Sequence, residues 1–286
     1  MLNDLLRFIT FTKNTINKKD MIKKIAIFAI TGLMMTSCSL FNNDKAPSGG
    51  LNLFTIQQDK DLGVKVSGEI NADPAKYPVL DPATNVAAYQ YINSIRDAIL
   101  KTGKVKHADD FKWELKIIQD DSTLNAFCTP AGYIYIYTGI IKFLDNEAEL
   151  AGVMGHEMAH ADLRHSTRQM TKSYGLQVVI NAALGQREAL KKITSGLIGL
   201  KFSRSHETEA DRMSVEYLCG TKYRADGGAG FFEKIKAMGG GSQPEFMSTH
   251  PSPINRIKNY HKWAIENNCG GTEEFVENYA AFKRLF

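Results

Sequence analysis

The sequence predicts an α+β domain in which a small, early β-sheet with one edge strand packs on a mainly helical remainder. Apolar residues alternate with period two only between about residues 111 and 138. Before and after that stretch they recur at the three- and four-residue spacing of helices. The chain has 286 residues, of which 43% are hydrophobic, and this is enough for one large core.

The amino-terminal residues predict an export signal rather than part of the fold. Residues 1–20 lie upstream of a second candidate start at Met21, and we assign no fold to them. Residues 21–37 have two lysines, a short apolar core and small residues, which are the parts of a secretory signal peptide. Residues 1–37 hold six basic and two acidic side chains, so the net charge of +4 lies there and the rest of the chain is balanced. The balanced remainder has no basic stripe of the kind that binds nucleic acid.

Cys38 directly follows these small residues, in a pattern that resembles the lipobox of bacterial lipoproteins. The resemblance implies cleavage before Cys38, lipidation of its thiol, and a membrane anchor on the periplasmic side of a bacterial cell envelope. Ser39 favours the outer membrane. The alternative is a plain signal anchor with an incidental cysteine. Residues 38–75 are predicted to be the lipidated cysteine and a tether, because residues 42–50 are polar and rich in helix breakers, and the domain is assigned to 76–286.

The domain is predicted to begin with a helix and three strands. Helical spacing of apolar residues predicts a helix over 83–100. Alternation predicts a strand over 111–118 and two more over 124–128 and 132–138. A Thr-Pro-Ala-Gly sequence separates the last two strands and supplies turn chemistry, so they are predicted to form a hairpin.

The rest of the domain is predicted to be helical. Asn146 and Glu149 have the spacing of a capping box and predict the start of a long helix. Residues 166–201 predict a helical hairpin over the core, because their apolar patches are too short for membrane spans; the alternative is a cover or an amphipathic segment that faces a membrane. The later predicted segments are a helix over 205–218, a glycine-rich break at 227–230, a helix over 231–238, an irregular stretch to Pro253 and a helix over 254–266.

Three cysteines lie within the domain: Cys128, Cys219 and Cys269. An exported protein meets an oxidising environment, so one disulfide and one remaining thiol are expected. Cys128 lies in a predicted strand and is expected to be buried and free. The spacing of the cysteines does not fix the pairing.

The helix that begins after Asn146 carries His156, Glu157 and His160 in the pattern H-E-x-x-H. Residues four apart lie one turn apart on the same face of a helix, so the two imidazoles can bind one metal ion. Glu157 lies beside them, where it can take a proton from water at the metal without being a ligand. The pattern predicts a site for one Zn²⁺ per chain, provided that a third ligand exists.

Two continuations could supply the third ligand. The metzincin pattern requires Gly at 163 and His at 166, and the sequence has Leu163 and Ser166, which excludes that class. The other solution is a glutamate from a later helix. Glu207 and Glu209 both lie on such a predicted helix, and Asp211 lies one turn after Glu207. One carboxylate could then bind the metal while another orients a histidine ligand from behind.

Five sequence blocks occur together in one order. They are Asn125-Ala-Phe127, Gly132-Tyr-Ile, Glu149 to His160, Phe202 to Asp211, and Ser248-Thr-His-Pro251 with Arg256. In this order they resemble the CAAX-prenyl-endopeptidase and HtpX family of gluzincin zinc metallopeptidases, over about residues 80–265. They are most similar to its soluble periplasmic BepA- and LoiP-like lipoprotein members. The resemblance implies that residues 76–286 form a gluzincin-type metallopeptidase domain.

The resemblance also implies roles for individual residues of the predicted metal site. His156, His160 and Glu207 would bind zinc, and Glu157 would be the general base. Asp211 would orient one of the two histidines.

Four further residues take their predicted roles from the same resemblance. Asn125 and Ala126 resemble an edge strand on which an extended substrate adds itself as a further strand, although Asn125 could merely end a strand. His250 resembles a histidine that follows the other blocks in the sequences of that family and either steadies the oxyanion or occupies the fourth position of zinc in a resting form. Arg256 would brace the site.

Three polar residues near the predicted site match no family role. We interpret Glu209 as a solvated or structural neighbour of the third ligand. His165 and His206 are interpreted as ordinary surface histidines.

The function implied is a zinc-dependent endopeptidase that cleaves extended chains of misfolded or envelope proteins, with Glu157 as general base. No acidic cluster that would bind a substrate amino terminus is recognisable, which disfavours an exopeptidase. The chain lacks the membrane spans and the repeat domain found elsewhere in the family, which argues against a prenylated substrate and a partner-docking role. The alternative is a zinc-binding envelope lipoprotein with a chaperone-like role, whose peptidase activity is latched by His250 or lost.

Overall fold

In a computed structural model of the protein, the described residues 52–184, 186–239, 244–251 and 255–286 form an α+β fold, as predicted. They lie in one compact unit, Ser48–Phe286. The elements in chain order are α1 (Ile56–Asn71), α2 (Val86–Leu100), β1 (Glu114–Ile118), β2 (Ala126–Thr129), β3 (Tyr133–Tyr137), α3 (Thr138–Phe143), α4 (Glu147–Asp162), α5 (His165–Ala183), α6 (Arg187–Ile198), α7 (Arg204–Leu218), α8 (Gly228–Ala237), α9 (Glu245–Thr249), α10 (Arg256–Glu266) and α11 (Val276–Lys283). The predicted upstream segment, signal peptide, Cys38 and first part of the tether lie outside the described residues.

The three strands form a mixed sheet in the order β1-β3-β2. β1 and β3 are parallel, with Glu114 opposite Tyr133, and β2 runs antiparallel to β3. A 3₁₀ turn over Pro130–Gly132 joins β2 to β3 and confirms the predicted hairpin. Gly132 has a φ of +81°, and a Cβ there would lie 2.9 Å from the Trp113 ring, so the turn requires glycine. Because β3 is central, β2 is an edge strand, as predicted.

Side chains alternate between the two faces of this sheet, and each face has its own apolar core. On one face, Ile134 and Ile136 of β3 pack with apolar residues of α2, α4 and α7. On the other face, Tyr135 packs with apolar residues of α1, α5 and α6. Helices α5 and α6 therefore form the predicted helical hairpin over the core. In the part of the chain that the structure describes, no helix is long and apolar enough to cross a membrane.

Helix α1 shows that the predicted tether over 38–75 is too long. Leu62, Val66 and Ile70 recur every four residues along α1 and are buried in the second core. The Thr55 hydroxyl caps the helix by accepting a hydrogen bond in its first turn. A stripe of this kind is stable only against a partner surface, which here is the sheet. The folded domain therefore includes α1 instead of beginning at residue 76.

Helix α4 is buried along its whole length. The Asn146 side chain accepts a hydrogen bond from the Glu149 backbone at 3.0 Å and donates one to the Glu149 carboxylate at 2.9 Å, which confirms the predicted start. A Cβ on Gly152 would lie 2.2 Å from the Gly228 nitrogen, so only glycine lets α8 approach this closely. The glycine-rich stretch 227–230 is therefore the start of α8 packed on α4, and the predicted break is wrong.

Cys219 and Cys269 form a disulfide, and Cys128 is a buried free thiol in β2. One disulfide and one free thiol are thus confirmed. The disulfide joins the end of α7 to the segment after α10. Helices α9 and α11 were not predicted, and α11 places Tyr279 and Phe282 in the first core.

Candidate metal centre

Two histidines of α4 point to the same place. His156 and His160 are 2% and 0% exposed, and their Nε2 atoms lie 3.0 Å apart. A spacing of four residues on one continuous helix places both rings on one face. The structure therefore brings the predicted pair together.

Glu207 reaches this pair from the first turn of α7. The Ser203 hydroxyl caps α7 by accepting a hydrogen bond from the His206 backbone at 3.2 Å. Oε1 of Glu207 lies 3.3 Å from Nε2 of His160, and Oε2 lies 3.5 Å from Nε2 of His156. The Glu207 side chain is fully buried, and a buried carboxylate is costly unless positive charge compensates it.

His250 completes a group of four donors. It follows α9, its backbone N–H donates to the Phe246 carbonyl at 2.8 Å, and its ring stacks on Phe246 with centroids 4.2 Å apart. Nδ1 of His250 lies 3.3 Å from Nε2 of His156 and 3.1 Å from Oε1 of Glu207. The structure thus places His250 among the predicted ligands.

The four donor atoms fit a tetrahedral zinc ion. Ligands that bind zinc at about 2.0–2.1 Å stand about 3.3 Å apart at tetrahedral angles. His156 lies 3.0 and 3.3 Å from the other two histidines, each histidine lies 3.1 to 3.5 Å from a Glu207 oxygen, and one donor atom from each of the four residues lies within 4.8 Å of the others. Three imidazole nitrogens and one carboxylate oxygen are also ligands that zinc accepts. Geometry and chemistry of the donors therefore agree.

Glu157 lies next to this group, and among the described residues neither of its carboxylate oxygens has a hydrogen-bond partner. Both oxygens are buried, and Nε2 of His250 lies 3.5 Å from Oε1. Burial raises the pKa of Glu157 to about 7, against the opposing effect of nearby His250. A buried carboxylate without a donor, beside a cluster of metal-type ligands, has the position of a general base.

Asp211 supports His156 from behind. Oδ1 of Asp211 lies 2.9 Å from Nδ1 of His156, and the Tyr260 hydroxyl donates to the same oxygen at 2.8 Å. The Arg256 guanidinium donates to both Asp211 oxygens, at 2.6 and 2.7 Å, and to Oε2 of Glu207 at 3.0 Å. The structure therefore places Asp211 behind His156 rather than His160 and connects Arg256 to two carboxylates of the site.

Burial and the neighbouring polar groups have opposite effects on the pKa of His156 and of Glu207. Burial alone would lower the pKa of His156, but hydrogen bonds to Asp211 and Glu207 raise it. Burial alone would raise the pKa of Glu207, but His250 and the two helix histidines hold it well below its usual range. Burial and the neighbouring His156 lower the pKa of His160. An ionised glutamate among buried imidazoles is an arrangement suited to a cation.

The interpretation of His165 and His206 as surface residues is wrong. Their side chains are 0% and 5% exposed, and their rings stack with centroids 4.3 Å apart. Nδ1 of His165 lies 3.0 Å from Nδ1 of His160, and its Nε2 lies 3.3 Å from Oε2 of Glu209. Burial lowers the pKa of His165 to about 4, so its ring is neutral at physiological pH. Glu209 is a neighbour of this histidine pair and is not among the four metal-type donors.

The edge strand β2 lies beside the group of four donors. The Asn125 carbonyl accepts from the Tyr137 amide of β3 at 3.1 Å, so the backbone groups of Ala126 face the outer edge. The Leu124 carbonyl also faces outward, and there it accepts from the Phe246 amide at 3.1 Å. The segment that carries His250 is thus docked on one end of this edge. Both predicted strand residues are buried, and Oδ1 of Asn125 has no hydrogen-bond partner among the described residues.

Residues 88–264 match the sequence model of peptidase family M48. The chain is 30% identical to the mitochondrial metalloendopeptidase OMA1 of Saccharomyces cerevisiae over 261 residues, which cover 82% of this chain and 74% of that protein. It is 30% identical to OMA1 of Arabidopsis thaliana over 203 residues, 70% of this chain and 41% of that protein. It is 28% identical to the beta-barrel assembly-enhancing protease of Escherichia coli K12 over 186 residues, 59% of this chain and 37% of that protein. The chain therefore spans less than half the length of the Arabidopsis and E. coli relatives.

Proposed function

We propose that this chain, which belongs to peptidase family M48, is a zinc-dependent endopeptidase that hydrolyses peptide bonds in extended polypeptides. The observation that carries the proposal is the convergence of four metal-type donors beside the buried carboxylate of Glu157, whose oxygens have no hydrogen-bond partner among the described residues. The family resemblance predicted from the five sequence blocks is confirmed by the family match. The names of its relatives, two metalloendopeptidases and a protease, support the same reaction class.

His156, His160 and Glu207 would hold one Zn²⁺ per chain. When bound, the ion would polarise the scissile carbonyl and lower the pKa of a coordinated water towards about 7. Asp211 would keep the Nδ1 proton of His156 in place, so that Nε2 of this ring presents its lone pair to the metal.

Glu157 would act as the general base. It would accept a proton from the attacking water and then deliver that proton to the leaving amine, so the carboxylate ends the cycle as it began. Its position one residue after a ligand on α4 keeps it near the reacting water without occupying a ligand position.

The substrate would be an extended chain that pairs with the outer edge of β2. The backbone groups of Ala126 face this edge, and Asn125 would flank it. Pairing through backbone groups has little sequence preference, which suits misfolded or envelope proteins as substrates. The contact between Leu124 and Phe246 would have to open, because it uses one of the backbone groups that a longer substrate would need.

His250 would hold the site in a resting form. With His250 in place, four protein donors would fill all the positions of a tetrahedral zinc ion, whereas a catalytic zinc site keeps one position open. Displacing the α9 segment would open that position, and His250 could then stabilise charge on the carbonyl oxygen. The same closed set favours one second candidate, a zinc-binding envelope lipoprotein with a chaperone-like role and latched or lost peptidase activity.

The test compares Glu157→Gln, His250→Ala and Glu216→Gln for casein cleavage and zinc content. Glu157→Gln should lower the cleavage rate by about 10²- to 10⁴-fold while one zinc per chain is retained. Glu216→Gln makes the same change on the α7 surface and should have no effect. Greater activity in His250→Ala supports a latch, and lower activity supports a role in catalysis. If neither the unmodified protein nor His250→Ala cleaves casein while zinc is bound, the second candidate is favoured.

We also propose that the mature protein begins at Cys38 and is lipid-anchored in a bacterial cell envelope, with the outer membrane favoured. The proposal rests on the signal-like residues 21–37 and the small residues before Cys38. Labelled palmitate should be incorporated into the full chain and not into Cys38→Ser. Incorporation into both would contradict lipidation at this residue.

A further inference from the structure

We infer that His165 and Glu209 are positioning residues that orient the His160 ring for the metal, through a hydrogen-bonded chain from carboxylate to imidazole to imidazole. The inference rests on the proposed zinc site and adds two residues to it. Neither residue is among the four donors.

The His160 ring has two nitrogens with different surroundings. Its Nε2 faces the other donors, 3.0 Å from His156 and 3.3 Å from Glu207. Its Nδ1 faces away from them and lies 3.0 Å from Nδ1 of His165. If Nε2 of His160 offers its lone pair to a metal, the ring proton must be on Nδ1. That proton needs an acceptor, because an unsatisfied buried N–H is costly.

The His165 ring provides this acceptor. Two ring nitrogens 3.0 Å apart make a hydrogen bond when one carries a proton and the other does not. Nδ1 of His165 would therefore accept from His160, and the proton of the His165 ring would lie on Nε2. Nε2 is 3.3 Å from Oε2 of Glu209, which accepts it. One placement of the protons thus satisfies both contacts and leaves Nε2 of His160 free for a metal.

The surroundings of His165 hold this ring in one orientation. Its side chain is fully buried, and it stacks on His206 with centroids 4.3 Å apart and planes 15° apart. It is the first residue of α5, directly after Arg164, whose φ is +60°. Nε of Arg164 donates to Asp59 of α1 at 2.5 Å, and its Nη2 donates to the Phe54 carbonyl. The turn that presents His165 is therefore anchored from outside the metal site.

Each histidine ligand of α4 would then have a carboxylate behind it. Asp211 contacts His156 directly, and Glu209 reaches His160 through His165. Partners of this kind fix the tautomer and the orientation of a ligand, and their loss typically costs 10- to 100-fold in metal affinity. A histidine that merely filled space in the core would contribute volume alone, and this difference can be measured.

The experiment measures the zinc dissociation constant by chelator competition, without substrate, in His165→Phe, His165→Asn, Glu209→Gln and the matched control Glu216→Gln. Phe keeps a ring of similar size but has no acceptor, so zinc affinity should fall by about 10- to 100-fold. The side-chain oxygen of Asn can take the place of Nδ1 and should restore most of this loss. Glu209→Gln should weaken zinc binding by a smaller factor, and Glu216→Gln should leave it unchanged.

The absorption spectrum of the Co²⁺-substituted protein gives a second measurement of ligand orientation. Its visible bands should change in His165→Phe and return towards those of the unmodified protein in His165→Asn. Wild-type zinc affinity in His165→Phe, or weaker binding in the Asn variant than in the Phe variant, would overturn the inference. If His165→Phe does not fold, Glu209→Leu decides alone, because this side chain is 22% exposed and Leu removes the acceptor oxygen that Gln retains, so wild-type zinc affinity there would exclude the chain. Zinc binding that depends on His165 in a protein that cleaves nothing would contradict the proposed function and leave this inference intact.

Discussion

Replacing Asp211 with asparagine should weaken both the fold and zinc binding. The Asp211 carboxylate is 1% exposed and has contacts with three side chains: Arg256 at 2.6 and 2.7 Å, Tyr260 at 2.8 Å and His156 at 2.9 Å. Asparagine has one acceptor oxygen, so its NH₂ group would face a donor in place of the second carboxylate oxygen. The Arg256 charge would then keep only its contact with Glu207, at 3.0 Å.

The magnitude follows from the burial of this ion pair. Removing one partner of a buried pair costs about 3–5 kcal/mol of unfolding free energy. Because Arg256 keeps its contact with Glu207, the expected loss is at the lower end, about 3 kcal/mol. For a domain of this size each 1 kcal/mol lowers Tm by about 2–4 °C, so Tm should fall by about 6–12 °C. Zinc affinity should fall by about 10- to 100-fold, because His156 loses the charged acceptor behind it.

The assay is thermal unfolding in EDTA, which reports the fold without metal, together with chelator competition for zinc. Glu216→Gln is the matched control, because it makes the same change on the same helix opposite Arg212, which is 62% exposed. An exposed pair of this type contributes about 0.3–0.5 kcal/mol. If Asp211→Asn melted within about 2 °C of the control and bound zinc as tightly, the reasoning from the buried pair would be refuted.

Three further predictions concern the frame around the site. Gly152→Ala should destabilise the fold by about 1–3 kcal/mol in urea unfolding, because its Cβ would meet backbone, whereas Gly68→Ala, which meets nothing within 4 Å, should stabilise it by about 0.5–1 kcal/mol. Reduction of the Cys219–Cys269 disulfide, which closes a separation of 50 residues, should cost about 4 kcal/mol, and equal melting with and without reductant would contradict this. Burial alone would lower the pKa of His261, but hydrogen bonds to two carboxylates raise it. The stabilisation from His261 is therefore complete below its ordinary pKa of about 6.5 and is lost as the pH rises through the raised value, so His261→Gln should lower Tm at pH 6 and not at pH 9.

The parts of the fold that the sequence predicted depend on local spacing. The alternation in the strands, the capping box at Asn146 and the four-residue spacing of His156 and His160 each depend on residues close together in the chain. Glu207 could not be predicted from local spacing, because it lies 47 residues after His160. Its choice over Glu209 came from the family resemblance. In the structure Glu207 lies 3.5 and 3.3 Å from His156 and His160, whereas Glu209 contacts His165.

The elements that were missed depend on partners distant in sequence. Gly63 and Gly68 lower the helix propensity of α1, and its apolar stripe is stabilised only by the sheet that covers it. Helix α9 is five residues long, and it docks through the Phe246 amide on the edge of β2. No periodicity within such segments identifies the surface that stabilises them.

The error at His165 has a specific geometric cause. On a continuous helix, residues five apart point about 140° away from each other, so His165 should lie far from His160. Helix α4 ends at Asp162, however, and α5 begins at His165 after a turn in which Arg164 has a positive φ. This turn changes the direction of the chain between α4 and α5, and it brings the His165 ring into contact with the His160 ring.

The ion pair of Arg164 with Asp59 links the two wrong predictions, which are the tether boundary and the exposure of His165. The turn that reverses the chain is anchored by the ion pair of Arg164 with Asp59, and Asp59 lies on α1, which was assigned to the tether. Asp59 is buried, so this pair is part of the frame rather than an exposed contact. Without α1 as a folded element, nothing in the sequence indicates that α4 and α5 meet at an angle that buries His165. The helix that follows the predicted anchor therefore belongs to the support of the metal centre, and it connects the amino-terminal part of the domain to the orientation of His160.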